Sequence, residues 1–324
     1  ELCPAHLAGA TLVLRTDDSL SSVQTFFAFC QKHQITVLDL PTAFWHTLAI
    51  EMRRDANLHL PASVHTLIIG GERAAPEHLA TWQQVAPAHV TLWNTYGPTE
   101  TTIVAVACPI AGPSAVAQAA LAPIGRPVAS ARVTVVDQYD QLAPIGVPGE
   151  LLIGGPQLAL GYVGLAAETQ ARFIADPFAA GERVYRTGDR VRFLEDGILQ
   201  FVGRTDRQIK LRGHRIEPDA IEHVLNQHPD VADTAVTTRP DAQNNPQIIA
   251  YVIPRNGRTP DKQTLTSHLR QQLPVYMIPT AFVTVDAFPK TTHGKIDYRA
   301  LPAPAFQAED AAKYAAPRTP IEET

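Results

Sequence analysis

Apolar positions along the first hundred residues switch between two periods. Val23, Phe26, Phe27 and Cys30 recur at helical spacing and predict a helix over 23–33. The β-branched run at 35–40 predicts a short strand, and 42–53 is helical again. An apolar strand at 66–69 leads into Gly70-Gly71. Residues 76–85 form a further helix, with Pro76 acceptable in its first turn. A strand follows at 90–94. This alternation predicts parallel βα units covered by helices.

The pattern then changes. Short strands are expected at 132–137, 150–154, 183–186, 191–194 and 198–202, separated by Gly and Pro turns. Asp196-Gly197 is a strong hairpin signal. These features predict a small antiparallel sheet or barrel. From 208 the order becomes strand (208–212), helix (218–226), two strands (232–239 and 247–254), helix (262–273) and strand (281–285). The expected architecture is an α/β parallel-sheet portion at 1–120, an antiparallel β subdomain at 121–203 and a hinge at 204–207. A small α+β domain at 208–303 and an Ala/Pro-rich linker at 304–324 complete it.

Composition narrows the class. The chain has 324 residues, 45% hydrophobic and 18% charged, as in globular proteins rather than disordered ones. Its net charge of −5 gives no basic field for nucleic acid. Proline supplies 27 residues, above the roughly 5% of average usage, and they are scattered as turn and strand-edge punctuation. Cys3, Cys30 and Cys108 form neither a disulfide framework nor a metal knuckle, so a reducing cytoplasm is expected. No apolar run is long enough to span a membrane. Glu1 and Thr324 read as cuts from something larger. Walker-type, GxSxG, HExxH and GxGxxG motifs are absent, which removes several common enzyme classes.

Candidate chemistry gathers in loops at strand ends. Residues 94–100 (NTYGPTE) follow a predicted buried strand, where open α/β sheets bind ligands. Tyr96 could stack on a base, Thr99 donate to a phosphate and Glu100 hold Mg²⁺. The plainer reading is a polar turn with a core tyrosine. In YRTGD (185–189), Asp189 after a glycine could take a ribose diol, and a hairpin turn is the plainer reading. Gly203-Arg204-Thr205-Asp206 could be a hinge. Lys210, Arg212, His214 and Arg215 then form a basic cluster or a solvated strand face. Lys295, in a polar loop, could meet a carboxylate or phosphate or be an ordinary surface lysine.

Six motifs occur in a fixed order: NTYGPTE, GELLIGGPQLALGY (149–162), YRTGD, GRTDRQIKLRGHRIEPDAIE (203–222), LPVYMIP (273–279) and HGKIDYRAL (293–301). In this the chain resembles the amino-acid adenylation domain of nonribosomal peptide synthetases, within the adenylate-forming superfamily of acyl-CoA ligases and luciferases. The likeness covers essentially the whole chain. It implies ATP-dependent activation of an amino acid as its adenylate, then transfer to the phosphopantetheine thiol of a carrier domain. It also implies Mg²⁺, a carrier domain immediately C-terminal and a condensation domain in the same synthetase.

By the same resemblance, Lys295 would bridge the substrate carboxylate and the α-phosphate. Glu100 would ligate Mg²⁺, and Thr99 would contact phosphate. Tyr96 and Phe201 would flank the adenine and Asn94 would meet its amino edge. Asp189 would hold the ribose with help from Arg204, and Asp206 would be the hinge. The substrate side chain would meet Asp39, Ile68, Gly70, Thr95, Ile103 and Val104. Asp39 is the one charge in that set. In a dry pocket its carboxylate would favour a polar or basic amino acid such as lysine or ornithine, unless it is hydrated or paired within the protein. His293 and Pro218-Asp219 depart from the usual residues at their positions. The family's phosphate loop and the Asp that grips the α-amino group are not among these residues. The chain is therefore expected to be a fragment, inactive alone, with an open sheet edge. An acyl- or aryl-CoA ligase and a non-catalytic scaffold are the competing readings.

Overall fold

Each amphipathic stretch at the start of the chain becomes a helix that covers one face of a sheet. The computed structural model describes residues 2–116, 122–211, 214–241, 246–255, 260–291 and 295–304, and these divide into two compact units meeting at Asp206 and Arg207. In the first unit, helix α1 (Leu2–Leu7) is followed by α2 (Val23–Lys32), β1 (Val37–Pro41), α3 (Thr42–Arg54), β2 (Thr66–Gly70), α4 (Pro76–Val85) and β3 (Thr91–Tyr96). The Ser22 hydroxyl caps α2 by accepting from the Thr25 amide at 3.0 Å. Gln34 ends the helix in a left-handed conformation, φ 50°.

Helix α3 buries Trp45, Leu48, Ala49 and Met52, a single stripe at i, i+3, i+4 and i+7. The stripe packs in one core with Leu67, Ile69, Leu92 and Trp82, the Trp45 and Trp82 rings lying edge to face at 6.1 Å. Thr42 ties the start of α3 to the end of β2 by donating to the Gly70 carbonyl at 3.0 Å.

Strands β1, β2 and β3 pair in parallel, as the alternation of strand and helix predicts. The sheet does not stay parallel. Strand β4 (Val106–Ala111) returns antiparallel to β3, and β5 (Arg126–Pro127) pairs antiparallel with β4. The connection from β3 to β4 holds only a short 3₁₀ turn at Thr99–Thr101, too little chain for a helical crossover. Gly97 makes that tight return possible. A Cβ there would lie 2.4 Å from the Ile103 carbonyl oxygen. The β4 strand is not legible in the pattern because Pro109 interrupts it, and the structure places that proline at a register shift.

The second sheet runs β10-β9-β7-β6 with β8 on β9, all antiparallel. Its strands are β6 (Arg132–Val136), β7 (Gly149–Gly154), β8 (Phe173–Ala175), β9 (Arg183–Phe193) and β10 (Leu199–Arg204), with helix α5 (Ala166–Arg172) before β8. The two strands expected at 183–186 and 191–194 are one strand. Gly188-Asp189 is not a turn but a bulge. Arg186 pairs with Leu152 and Arg190 with Glu150, so three β9 residues oppose Leu151 alone. Gly188 takes φ +72° there. The hairpin at Asp196-Gly197 is present, closed by the Gly197 amide on the Leu194 carbonyl at 2.9 Å.

The second unit contains β11 (Ile209–Leu211), β12 (His214–Ile216), α6 (Pro218–Asn226), β13 (Val231–Pro240), β14 (Pro246–Pro254), α7 (Lys262–Arg270) and β15 (Ala281–Thr284). Strands β13, β14 and β15 form one sheet, antiparallel then parallel. Ile221, Val224 and Leu225 of α6 and Leu265 and Leu269 of α7 pack on it. Helix α7 stops at Arg270, short of the expected 273. Pro274 disfavours helical backbone before it. Arg212 and the stretch 305–324 expected as a linker lie outside the described residues. Among the described residues no helix is long and apolar enough to cross a membrane.

Candidate functional site

The carboxyl ends of β2 and β3 carry most of the residues singled out in the first unit. Parallel register sets Asp39 beside Ile68, and Gly70 beside Thr95, so all four share one face of the sheet. The opposite face packs on the helices. Thr95 donates its hydroxyl to the Ile69 carbonyl at 2.9 Å, and a Cβ on Gly70 would fall 2.4 Å from that hydroxyl oxygen. Asp39 is exposed on β1, at the end of the strand order among the described residues.

Thr102 and Ile103 are both left-handed, φ 58° and 69°. Two consecutive β-branched residues in that region store strain. The segment is held by the Thr102 hydroxyl on the Gln157 carbonyl at 2.7 Å. Ile103 is 68% exposed and Val104 is half-buried.

Asn94 and Tyr96 point to the buried face of β3. Asn94 donates its amide to the Pro123 carbonyl at 2.9 Å, which turns its side-chain oxygen into the remaining acceptor. Tyr96 lies in an apolar cluster with Val191 and Leu199, against which Phe201 packs half-buried. Its hydroxyl donates to Asp189 Oδ2. Burial first, and then the Asp189 charge, push the Tyr96 phenol well above the usual tyrosine range, so it remains a donor.

The β9 bulge re-aims Asp189 into this cluster, where it is 1% exposed. The Thr187 hydroxyl accepts the Asp189 amide at 3.0 Å, and Gly188 donates to Glu150 Oε1 at 3.0 Å. Arg204, at the end of β10, pairs with Asp189 Oδ1. The same guanidinium grips Asp206 at 2.6 and 2.8 Å, and Arg172 adds a contact to Asp206 at 3.7 Å. One arginine thus joins a buried aspartate to the aspartate at the boundary of the two units.

Thr99 is exposed and Glu100 buried in the 3₁₀ turn. Tyr162 and Tyr185 both donate to Glu100 Oε1, at 2.6 and 2.9 Å. Burial first, and the hydrogen bond to Glu100 next, raise the Tyr162 phenol above its ordinary range. These hydroxyls orient the carboxylate without adding positive charge. Among the described residues no cluster of three His, Cys, Asp or Glu could hold a metal unaided. A single carboxylate suits Mg²⁺, which takes its remaining oxygens from phosphates and water.

Lys295 belongs to the second unit. It is exposed, its carbonyl accepts the Thr291 amide at 2.8 Å, and Thr292, His293 and Gly294 before it lie outside the described residues. Tyr162, Tyr185, Thr187 and Arg172 carry no role in the sequence reading. Tyr162 and Tyr185 stand at an end of two of the motifs, the one signal that could have found them.

A part-parallel sheet ending in a buried carboxylate, an Asp–Arg pair on an adjoining antiparallel sheet, and a separate α+β unit with an exposed lysine describe a ligand-binding enzyme core with a small C-terminal domain. The AMP-binding enzyme family model matches residues 1–163, and the AMP-binding enzyme C-terminal domain model matches 220–295. The chain belongs to the AMP-binding enzyme family.

It is 39% identical over 319 aligned residues to bacitracin synthase 1 of Bacillus licheniformis, covering 98% of this chain and 6% of that protein. It is 42% identical over 299 residues to the isonitrile lipopeptide synthase of Streptomyces coeruleorubidus, covering 92% of this chain and 19% of that one. The chain therefore spans only a small part of the curated relatives it matches. A solved nonribosomal peptide synthetase protein containing adenylation and PCP domains, bound to a vinylsulfonamide inhibitor, superposes with a TM-score of 0.72 at 29% identity. That alignment covers 86% of this chain and 46% of the other.

Proposed function

We propose that the chain is part of an AMP-forming ligase of nonribosomal peptide synthesis. A substrate carboxylate oxygen attacks the α-phosphorus of ATP, the bond to the bridging oxygen breaks, and pyrophosphate leaves. The thiolate of a carrier-bound phosphopantetheine then attacks the acyl carbonyl and AMP departs. The observation that carries this reading is the buried Asp189, held by Arg204 and Tyr96, with Glu100 four residues beyond Tyr96 on the β3 loop.

The Asp189 carboxylate, fixed by Arg204 and Tyr96, is an acceptor suited to a ribose diol. The Asn94 oxygen suits an adenine amino group, and the Phe201 and Tyr96 rings supply apolar surface. The first step brings anions together, so positioning and charge compensation dominate. Lys295 supplies a point charge between carboxylate and α-phosphate, and Thr99 offers a hydroxyl to phosphate. Mg²⁺ held by Glu100 would offset triphosphate charge. Asp206 serves as the pivot of the second unit between the half-reactions.

The substrate is an amino acid, its side chain read by Asp39, Ile68, Gly70, Thr95, Ile103 and Val104. Asp39 favours a polar or basic one by charge alone. Its partners are a carrier domain following the chain and a condensation domain in the same synthetase. The buried free thiols of Cys30 and Cys108, each pushed up to about 11 by burial, suit the cytoplasm. The test is amino-acid-dependent ATP–pyrophosphate exchange across a substrate panel, in a complete adenylation domain carrying this chain. Exchange with amino acids is expected. Exchange with fatty or aryl acids alone would replace the reading with a CoA ligase, and ATP binding absent throughout would leave a scaffold.

A further inference from the structure

Glu100 sits in a 3₁₀ turn of three residues, too short to fix a side chain by its own backbone. Contacts from elsewhere in the first unit hold its backbone and its carboxylate. Ala159 donates its amide to the Glu100 carbonyl at 2.9 Å. The Tyr162 and Tyr185 hydroxyls converge on Glu100 Oε1 from the chain before α5 and from β9, and lie 3.4 Å from each other.

Both rings are themselves held. Phe173, at the start of β8, packs against Tyr185 at 5.1 Å and Tyr162 at 5.6 Å. The Arg183 guanidinium lies 5.2 Å from the Phe173 ring. Tyr185 is fully buried. The Tyr162 amide donates to the Thr169 hydroxyl of α5 at 2.9 Å, and Gly161 packs so closely on Thr169 that a Cβ would fall 2.4 Å from its methyl carbon. Two rigid phenols on one carboxylate oxygen are an expensive way to fill a core. Each buried hydroxyl must find a partner, which a phenylalanine would not need. An arginine would have gripped the carboxylate more strongly but would have added a cation beside it.

We infer that Tyr162 and Tyr185 are positioning residues for the reaction. They lock the Glu100 carboxylate in one orientation by neutral hydrogen bonds, so that it meets a divalent cation on the nucleotide without rearranging. This rests on the reading of Glu100 as a metal ligand. Outer-shell partners of this kind are worth about 10- to 100-fold in metal affinity.

The test uses a complete adenylation domain carrying this chain, with Mn²⁺ titrated by electron paramagnetic resonance in the presence of a non-hydrolysable ATP analogue. Tyr162→Phe and Tyr185→Phe are each expected to raise the Mn²⁺ Kd about tenfold. Pyrophosphate exchange should then need more Mg²⁺, with the deficit shrinking as Mg²⁺ is raised. Tyr162 is only half-buried, so its variant keeps the fold and its melting temperature even if Tyr185→Phe does not. If Glu100→Gln loses Mn²⁺ while both tyrosine variants bind it as the parent does, the positioning role is overturned and the metal reading stands. If Glu100→Gln binds Mn²⁺ unchanged, both are overturned.

Discussion

Replacing Arg204 with methionine tests the electrostatic centre of the first unit. The Arg204 side chain is 9% exposed and that of Asp189 2%, so this is a buried ion pair. Removing one member leaves a buried carboxylate without its guanidinium partner. Such losses cost about 3–5 kcal/mol, because the remaining charge is uncompensated. Arg204 also serves Asp206 and the Thr187 carbonyl, which favours the upper end. Urea unfolding followed by tryptophan fluorescence isolates the relevant unit, because Trp45, Trp82 and Trp93 all precede residue 206. With a slope of about 3 kcal/mol/M, the midpoint should fall by about 1–1.7 M. Adding Asp189→Asn to Arg204→Met should restore at least about 1 kcal/mol, since the stranded charge is gone. A loss under about 1 kcal/mol, or a double variant no better than the single, would mean that Arg204 does not compensate the Asp189 charge.

Lys295→Ala should cut pyrophosphate exchange about 10²- to 10³-fold, as removal of a single stabilising charge does, while urea midpoints stay unchanged because the side chain is exposed. Gly70→Ala drives a Cβ into the Thr95 hydroxyl oxygen at 2.4 Å and should destabilise by about 1–3 kcal/mol, read by the same fluorescence. His46 is lowered from 6.5 to about 4 by burial, then by His78, with Glu77 opposing, and its Nε2 accepts the Ala75 amide at 3.4 Å. A folded-state value below the unfolded one means stability present above pH 6.5 and lost as pH falls through about 4. His46→Gln should flatten urea midpoints across that window.

Legibility in the sequence followed the physics of each element. Helices α2, α3, α4 and α6 bury one stripe each, so their apolar spacing announces them. Helix α5 buries none of its residues and leaves no stripe to read. Strand β4 hides behind Pro109. The β9 bulge is the instructive case. A glycine beside an aspartate reads as a turn, and only the pairing with β7 shows that the strand continues and re-aims Asp189. Motif order drew attention to the candidate residues and carried nothing of their interactions. The Arg204–Asp189 pair and the phenols on Glu100 depend on contacts across 15 to 85 positions of sequence.

In the proposed reaction a substrate carboxylate oxygen attacks the α-phosphorus of ATP and stays with AMP. The most direct measurement uses an amino acid labelled with ¹⁸O in its carboxylate, a complete adenylation domain carrying this chain and its carrier domain. After acyl transfer, mass spectrometry of the nucleotide should find one ¹⁸O in AMP and none in pyrophosphate. Label in inorganic phosphate with ADP as the nucleotide product, or AMP free of label, would contradict the account.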